Sequence, residues 1–149
     1  MRKLFLVLLC LGWVGCTSAV IPNYLPDQQP YVRRYQADFD QTLKAVHESL
    51  TDLGWQIEQT ADPLVYEQDK IRQADQRDIL IMTGVRQTPL FIGTRYAKMN
   101  VYIHSQQQES EVEIRYLTIT SLPFKNVSSY NNEKAAERIL NYIGKILES

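Results

Sequence analysis

Tyr96-Ala97-Lys98-Met99-Asn100-Val101-Tyr102-Ile103-His104 and Glu111-Val112-Glu113-Ile114-Arg115-Tyr116-Leu117-Thr118-Ile119, separated by the polar stretch Ser105 to Ser110, decide the fold of this chain. Side chains of a strand alternate between its two faces. The first run sends Ala97, Met99, Val101 and Ile103 one way and Tyr96, Lys98, Asn100, Tyr102 and His104 the other. The second repeats the pattern, with Val112, Ile114 and Tyr116 opposite Glu111, Glu113 and Arg115. Two alternating runs joined by a polar loop predict an antiparallel hairpin with one apolar and one mixed face.

Working outward, Asp78 to Arg86 is apolar and β-branched enough for a buried strand, and Gln87 to Gly93, with Pro89, reads as a turn. Trp55 to Gln59 predicts a short strand. Between Ala61 and Asp78 the chain is charged; Leu64-Val65-Tyr66 is a candidate short strand and the remainder a loop. Pro123 closes the last run.

Helices flank these strands. Asp38 is placed to cap a helix, with Gln41 as its capping-box partner. Phe39, Leu43, Val46, Leu50 and Leu53 then form one apolar stripe. Gly54 fits the left-handed position past the helix end, and Trp55 can fold back on Leu50 in a Schellman-type stop. Asn131 or Asn132 caps a closing helix whose stripe is Ala135, Ala136, Ile139, Leu140, Ile143, Ile146 and Leu147. The expectation is an α+β domain over residues 36–149. It is a two-layer antiparallel sheet of about four strands, with an N-terminal and a C-terminal helix on one face and solvent on the other.

The N-terminal segment is of another kind. Met1-Arg2-Lys3 is a basic start, and Leu4-Phe5-Leu6-Val7-Leu8-Leu9-Cys10-Leu11 is apolar. That run is too short for a membrane-spanning helix, which needs about 20 residues, and suits a signal peptide. Trp13-Val14-Gly15-Cys16 follows. A small residue before a cysteine, directly after such a run, resembles the lipobox of bacterial lipoproteins, with Trp13 standing where that family usually has Leu. The alternative is an ordinary secretory signal in which Cys16 is incidental. The resemblance implies cleavage of a signal peptide over residues 1–15, and a lipid-modified Cys16 as first residue of the mature protein. Thr17, where Asp would favour retention at the inner membrane, implies the periplasmic side of the outer membrane. Pro22, Pro26 and Pro30 mark residues 16–35 as an anchor and extended tether.

The composition excludes several classes. Without residues 1–15 the chain has 14 basic and 17 acidic side chains (16 minus Arg2 and Lys3, against an unchanged 17), a balance of −3. That is no footprint for nucleic acid. Cys10 leaves with the signal, so no disulfide framework is possible. The sequence contains no nucleophile-elbow, zinc-helix or phosphate-loop motif. No cofactor, catalytic residue or metal ligand is expected. His47 reads as a helix-boundary histidine, and the carboxylates of 69–78 as a solvated charged loop.

The phrase from Asp38 through Trp55-Gln56-Ile57, the strand Arg95-Tyr96-Ala97-Lys98-Met99-Asn100-Val101 and the closing helix resemble the pattern of small envelope lipoproteins. The arrangement is similar to the helix-grip modules of the C subunit of the outer-membrane β-barrel assembly machinery. Tyrosine is abundant, nine in all, and Tyr96, Lys98, Tyr102, His104 and Arg115 share the mixed face. Tyr and Arg are enriched where proteins recognise one another, so these five form a candidate partner-binding face. Cross-strand tyrosines also simply stabilise sheets. The expected function is a non-catalytic, membrane-anchored binding or assembly module with an envelope protein partner. The alternative is a periplasmic carrier of a lipid or small ligand, with its cavity between sheet and helices.

Overall fold

A computed structural model describes residues 19–69 and 75–149. Residues 1–15, read above as a signal peptide, and Cys16 lie outside the described residues, as does part of the charged stretch 61–78. The hairpin is longer than its alternation suggested. Strand β5 (Thr94–Gln106) and strand β6 (Glu109–Leu122) pair antiparallel through thirteen rungs, from Thr94↔Ser121 to Gln106↔Glu109. Only Gln107 and Gln108 remain as the turn, with Gln107 in the left-handed region at φ 59°. The polar residues expected as a loop are thus mostly strand.

The other strands are β1 (Tyr31–Tyr35), β2 (Ile57–Ala61), β3 (Gln76–Thr83), β4 (Arg86–Pro89) and β7 (Lys125–Ser129). The sheet has seven antiparallel strands, not about four. Each outer edge of the hairpin is shared by two short strands. On β6, β1 takes residues 110–114 and β7 takes 118–122. On β5, β3 takes residues 100–106 and β4 takes 94–97, with β2 beyond β3. One end of the sheet is therefore five strands wide (β1-β6-β5-β3-β2), and the other is a four-stranded blade (β7-β6-β5-β4). The undercount has a physical origin. Strands β1, β4 and β7 (YVRRY, RQTP and KNVSS) are short edge strands with few apolar residues. Edge strands tolerate polar residues and proline, so they carry little periodic signal. Leu64 and Val65 lie in a short 3₁₀ turn (Pro63–Val65) instead of a strand.

Helix α1 (Phe39–Asp52) and helix α2 (Glu133–Leu147) pack side by side on one face at the wide end. The α1 caps are those its sequence specifies. Asp38 Oδ1 accepts from the Gln41 N–H at 2.8 Å, and the Gln41 side chain accepts from the Asp38 N–H. At the far end the Trp55 N–H donates to the Leu50 carbonyl and the Gly54 N–H to that of Thr51, with Gly54 at φ 73°. This is the Schellman arrangement. The Arg86 guanidinium donates to the Leu53 carbonyl and stacks over the Trp55 ring at 4.1 Å. Asn132 caps α2, accepting from the Ala135 N–H. Val46, Leu50, Ile139, Leu140 and Ile143 meet Met99, Val101, Ile103, Val112 and Ile114 in the main core. Each such fully buried side chain contributes roughly 1.5–3 kcal/mol.

The opposite face is also covered. Residues 19–30, expected as a solvated tether, run across it as a strap before entering β1. Leu25 is fully buried, with Leu117 and Ile119, and Ala19, Ile21, Tyr96 and Tyr130 pack around these three. Prolines that read as linker punctuation here hold an extended strap, and the folded part of the chain starts by residue 19.

Candidate functional site

Alternation places Tyr96, Lys98, Tyr102, His104 and Arg115 on the face opposite the helices, but that face is not the exposed surface expected of a recognition site. Lys98, Tyr102 and Arg115 are 1% exposed or less, and Tyr96 is half-buried beneath the strap. The correction follows from cover: the strap on one side and the 3₁₀ segment on the other shut out the solvent.

Arg115 is the centre of what lies beneath. Its Nε donates to Glu113 Oε1 at 2.5 Å, and its Nη1 lies 2.6 Å from Glu67 Oε1 and 2.8 Å from the Tyr102 hydroxyl. The same nitrogen reaches the Leu25 carbonyl at 3.2 Å and the Tyr24 hydroxyl at 3.3 Å, and Asp27 stands 3.9 Å from Nη2. The guanidinium plane sits 4.0 Å from the Tyr102 ring centre. Tyr24 donates to Glu67 at 2.8 Å and stacks on Tyr66. A planar fork with several donors suits such a many-sided, desolvated contact better than an ammonium would.

The electrostatics follow from burial. Desolvation pulls the Arg115 pKa down, but the Glu113 charge and the Glu67 hydrogen bond outweigh it and hold Arg115 above its ordinary value. Burial pushes the Tyr102 phenol well up, against the lowering influence of Arg115. Tyr24 is raised by burial and by its bond to Glu67. These phenols stay neutral and act as hydrogen-bonding struts. Lys98 forms a second buried link, donating to Asn23 Oδ1 at 2.9 Å with Glu58 3.6 Å away.

His104 is placed differently. Its Nδ1 lies 3.1 Å from Asp78 Oδ1, Gln76 donates to the same oxygen, and the ring stacks on Tyr102. It borders an open cleft of about 320 Å³ near the β5–β6 turn, with Arg34, Glu109 and Glu111 among its walls. Ser105 and Ser110 also line the cleft. Ser105, however, follows His104 in the strand and points to the other face, where its hydroxyl meets the Glu109 carbonyl at 3.0 Å. A nucleophile–base pair is therefore not assembled from these residues. Among the described residues no cluster of His, Cys, Asp and Glu is arranged to hold a metal ion.

The polar face thus works as an internal clamp tying the strap to the sheet. Sequence reading found its sheet half, Lys98, Tyr102 and Arg115, and missed Asn23, Tyr24, Asp27, Glu58 and Glu67. The available signal was Tyr24-Leu25, an aromatic–aliphatic pair inside a proline-rich stretch where a free tether has no use for one. Cys16 lies outside the described residues, three positions before Ala19. No protein-family model matches this chain, and no curated protein matches its sequence.

Proposed function

We propose that the chain is a non-catalytic lipoprotein of the cell envelope, acylated at Cys16 and held on the periplasmic side of the outer membrane, where it serves as a binding or assembly module. The observation that supports this reading is that Ala19, three residues after the cysteine of the lipobox-like sequence, is already packed on the sheet. Three residues span at most about 11 Å. A domain already packed at Ala19 and anchored at Cys16 is then seated against the bilayer instead of swinging on a leash. Two or more acyl chains give stable attachment where one is marginal. The space in which a carrier would hold its cargo, between sheet and helices, is filled by Val46, Leu50, Val101, Ile103, Ile114 and Ile143, all fully buried. The module reading is favoured for that reason.

The test is metabolic labelling with an alkyne analogue of palmitate, followed by membrane fractionation. The native chain should carry label and sediment with outer membranes, and Cys16→Ser should lose both properties. An unlabelled native chain released with the periplasmic fraction would overturn the proposal.

A further inference from the structure

We infer that the two turns at the blade end insert into the bilayer as a second, non-covalent membrane contact; the inference rests on the lipoprotein reading above. The turn between β4 and β5 carries Phe91, 103% exposed, and Ile92, 56% exposed. The turn between β6 and β7 is Pro123-Phe124, closed by the Leu122↔Lys125 pair, with Phe124 86% exposed. Val127 on β7 is exposed beside it. The turns are neighbours: Thr94 pairs with Ser121, and a Cβ on Gly93 would collide with the Ser121 carbonyl oxygen. Single exposed apolar residues need no explanation, but two aromatics and an isoleucine together at paired turn tips do.

The strap points to what covers them. Followed toward its N-terminus, it climbs the sheet. Asp27 and the Leu25 carbonyl lie at Arg115, Asn23 bonds Lys98 and Asn100, and Ala19 and Ile21 belong to the cluster of Leu117, Ile119 and Tyr96. From Ile119 to Leu122 is three residues, about 10 Å of strand. Cys16 precedes Ala19 by three residues, about the same reach. A three-residue reach from Ala19 is thus long enough for an acyl anchor at Cys16 to meet the bilayer at the level of the tips, and Val20, 84% exposed, adds apolar surface next to Ala19.

Charge sorts the same way. Residues 19–26, 79–108 and 114–132, which build this end and the strands running up to it, contain no Asp or Glu, although the chain has 17. Arg95 and Lys125 stand exposed just below the tips. Aromatic tips with cations behind them match an anionic phospholipid surface, rings in the acyl boundary and cations among the phosphates. The β5–β6 turn, twelve rung spacings away, would then project about 40 Å from the membrane and carry the His104 cleft with it.

The experiment uses the full-length protein purified from membranes and placed in vesicles of phosphatidylethanolamine and phosphatidylglycerol, with or without brominated acyl chains. Phe91→Trp and Phe124→Trp are made separately. Trp55, the only tryptophan after Trp13 leaves with the signal, is buried and serves as internal control. The expected result is a blue shift and acyl-chain quenching of each introduced tryptophan, without quenching of Trp55 in the native chain. Arg95→Glu with Lys125→Glu should reduce the quenching. Intact mass reports acylation separately. An acylated protein whose introduced tryptophans stay red and unquenched overturns the insertion and leaves the lipoprotein reading intact. Quenching without acylation keeps the insertion and overturns the Cys16 reading. Shielding that instead grows with protein concentration in vesicle-free detergent assigns the patch to a second copy and overturns the insertion.

Discussion

Replacing Arg115 by Met tests whether the buried polar face is the clamp described above. The side chain is 1% exposed, and Glu67 and Glu113 contact it at 6% and 10% exposure. Met keeps the aliphatic stem and removes the charge. Two carboxylates then face each other across a desolvated site whose central cation is gone. Breaking a buried ion pair from one side costs about 3–5 kcal/mol, because the remaining charge is stranded. Against a total of about 5–15 kcal/mol, that is roughly a fifth or more of the stability of the fold. With a urea slope of about 2 kcal/mol/M, the midpoint should fall by roughly 2 M.

The location of the damage discriminates further. Arg115 holds the Leu25 carbonyl and approaches Tyr24 and Asp27, all on the strap, while the helices bind the opposite face. Hydrogen exchange in Arg115→Met should accelerate first in residues 20–28 and in the 3₁₀ segment, with α1 and α2 nearly unchanged. Adding Glu67→Gln and Glu113→Gln removes the stranded charges and should recover most of the loss, since an intact buried ion cluster is worth little more than a neutral replacement. A single variant within about 1 kcal/mol of wild type, or a triple variant no more stable than the single, would refute the reasoning. If Arg115→Met is too unstable to purify, Arg115→Lys, which keeps charge but not the fork, should fall between the two.

Other consequences are as specific. Gly144 sits inside α2, and a Cβ there would meet Tyr35 Cε1 at an ordinary 3.7 Å; Gly144→Ala should raise stability by about 0.5–1 kcal/mol, read as a higher urea midpoint. Gly93 is the reverse case: at φ 102° and against the Ser121 carbonyl, Gly93→Ala should cost at least about 1–3 kcal/mol and disturb the β4–β5 turn in NMR spectra. Burial pushes the Tyr35 phenol from 10.0 up to about 12, against the lowering influence of Arg33. Since the folded value is raised, its contribution is fully present below pH 10.0 and is lost as pH rises through about 12. Tyr35→Phe loses the bond to the Leu140 carbonyl, about 0.5–1.5 kcal/mol, at neutral pH. Denaturation across that alkaline range should then show a shallower decline for the variant than for wild type.

Both helices were legible because their ends are written in local chemistry. Asp38 with Gln41, and Leu50 with Gly54 and Trp55, act within a few residues and need no partner elsewhere. The hairpin was legible because its period of two persists from Tyr96 to His104 and again from Glu111 to Ile119. Strands β1, β4 and β7 were not, since a short edge strand draws its stability from the neighbour it borders. Tyr31-Val32-Arg33-Arg34-Tyr35 has no meaning as a strand until the edge of β6 is there to receive it.

The misreading of the polar face has a deeper cause. Alternation shows that two faces differ, not which of them meets water. Tyr102, Lys98 and Arg115 are residues that a solvated sheet face and a buried ionic layer use equally well. What separates the cases is a covering group that supplies acceptors to the buried cations, and here it comes from residues about 75 to 90 positions distant: the Asn23 amide oxygen, the Leu25 carbonyl and the Asp27 carboxylate from the strap. Glu67 arrives from a segment that carries no periodic signal at all. A buried Arg with two carboxylates adds little net stability, but it penalises every arrangement in which the strap is absent. The clamp therefore makes residues 23–27 of the strap an obligatory part of the domain.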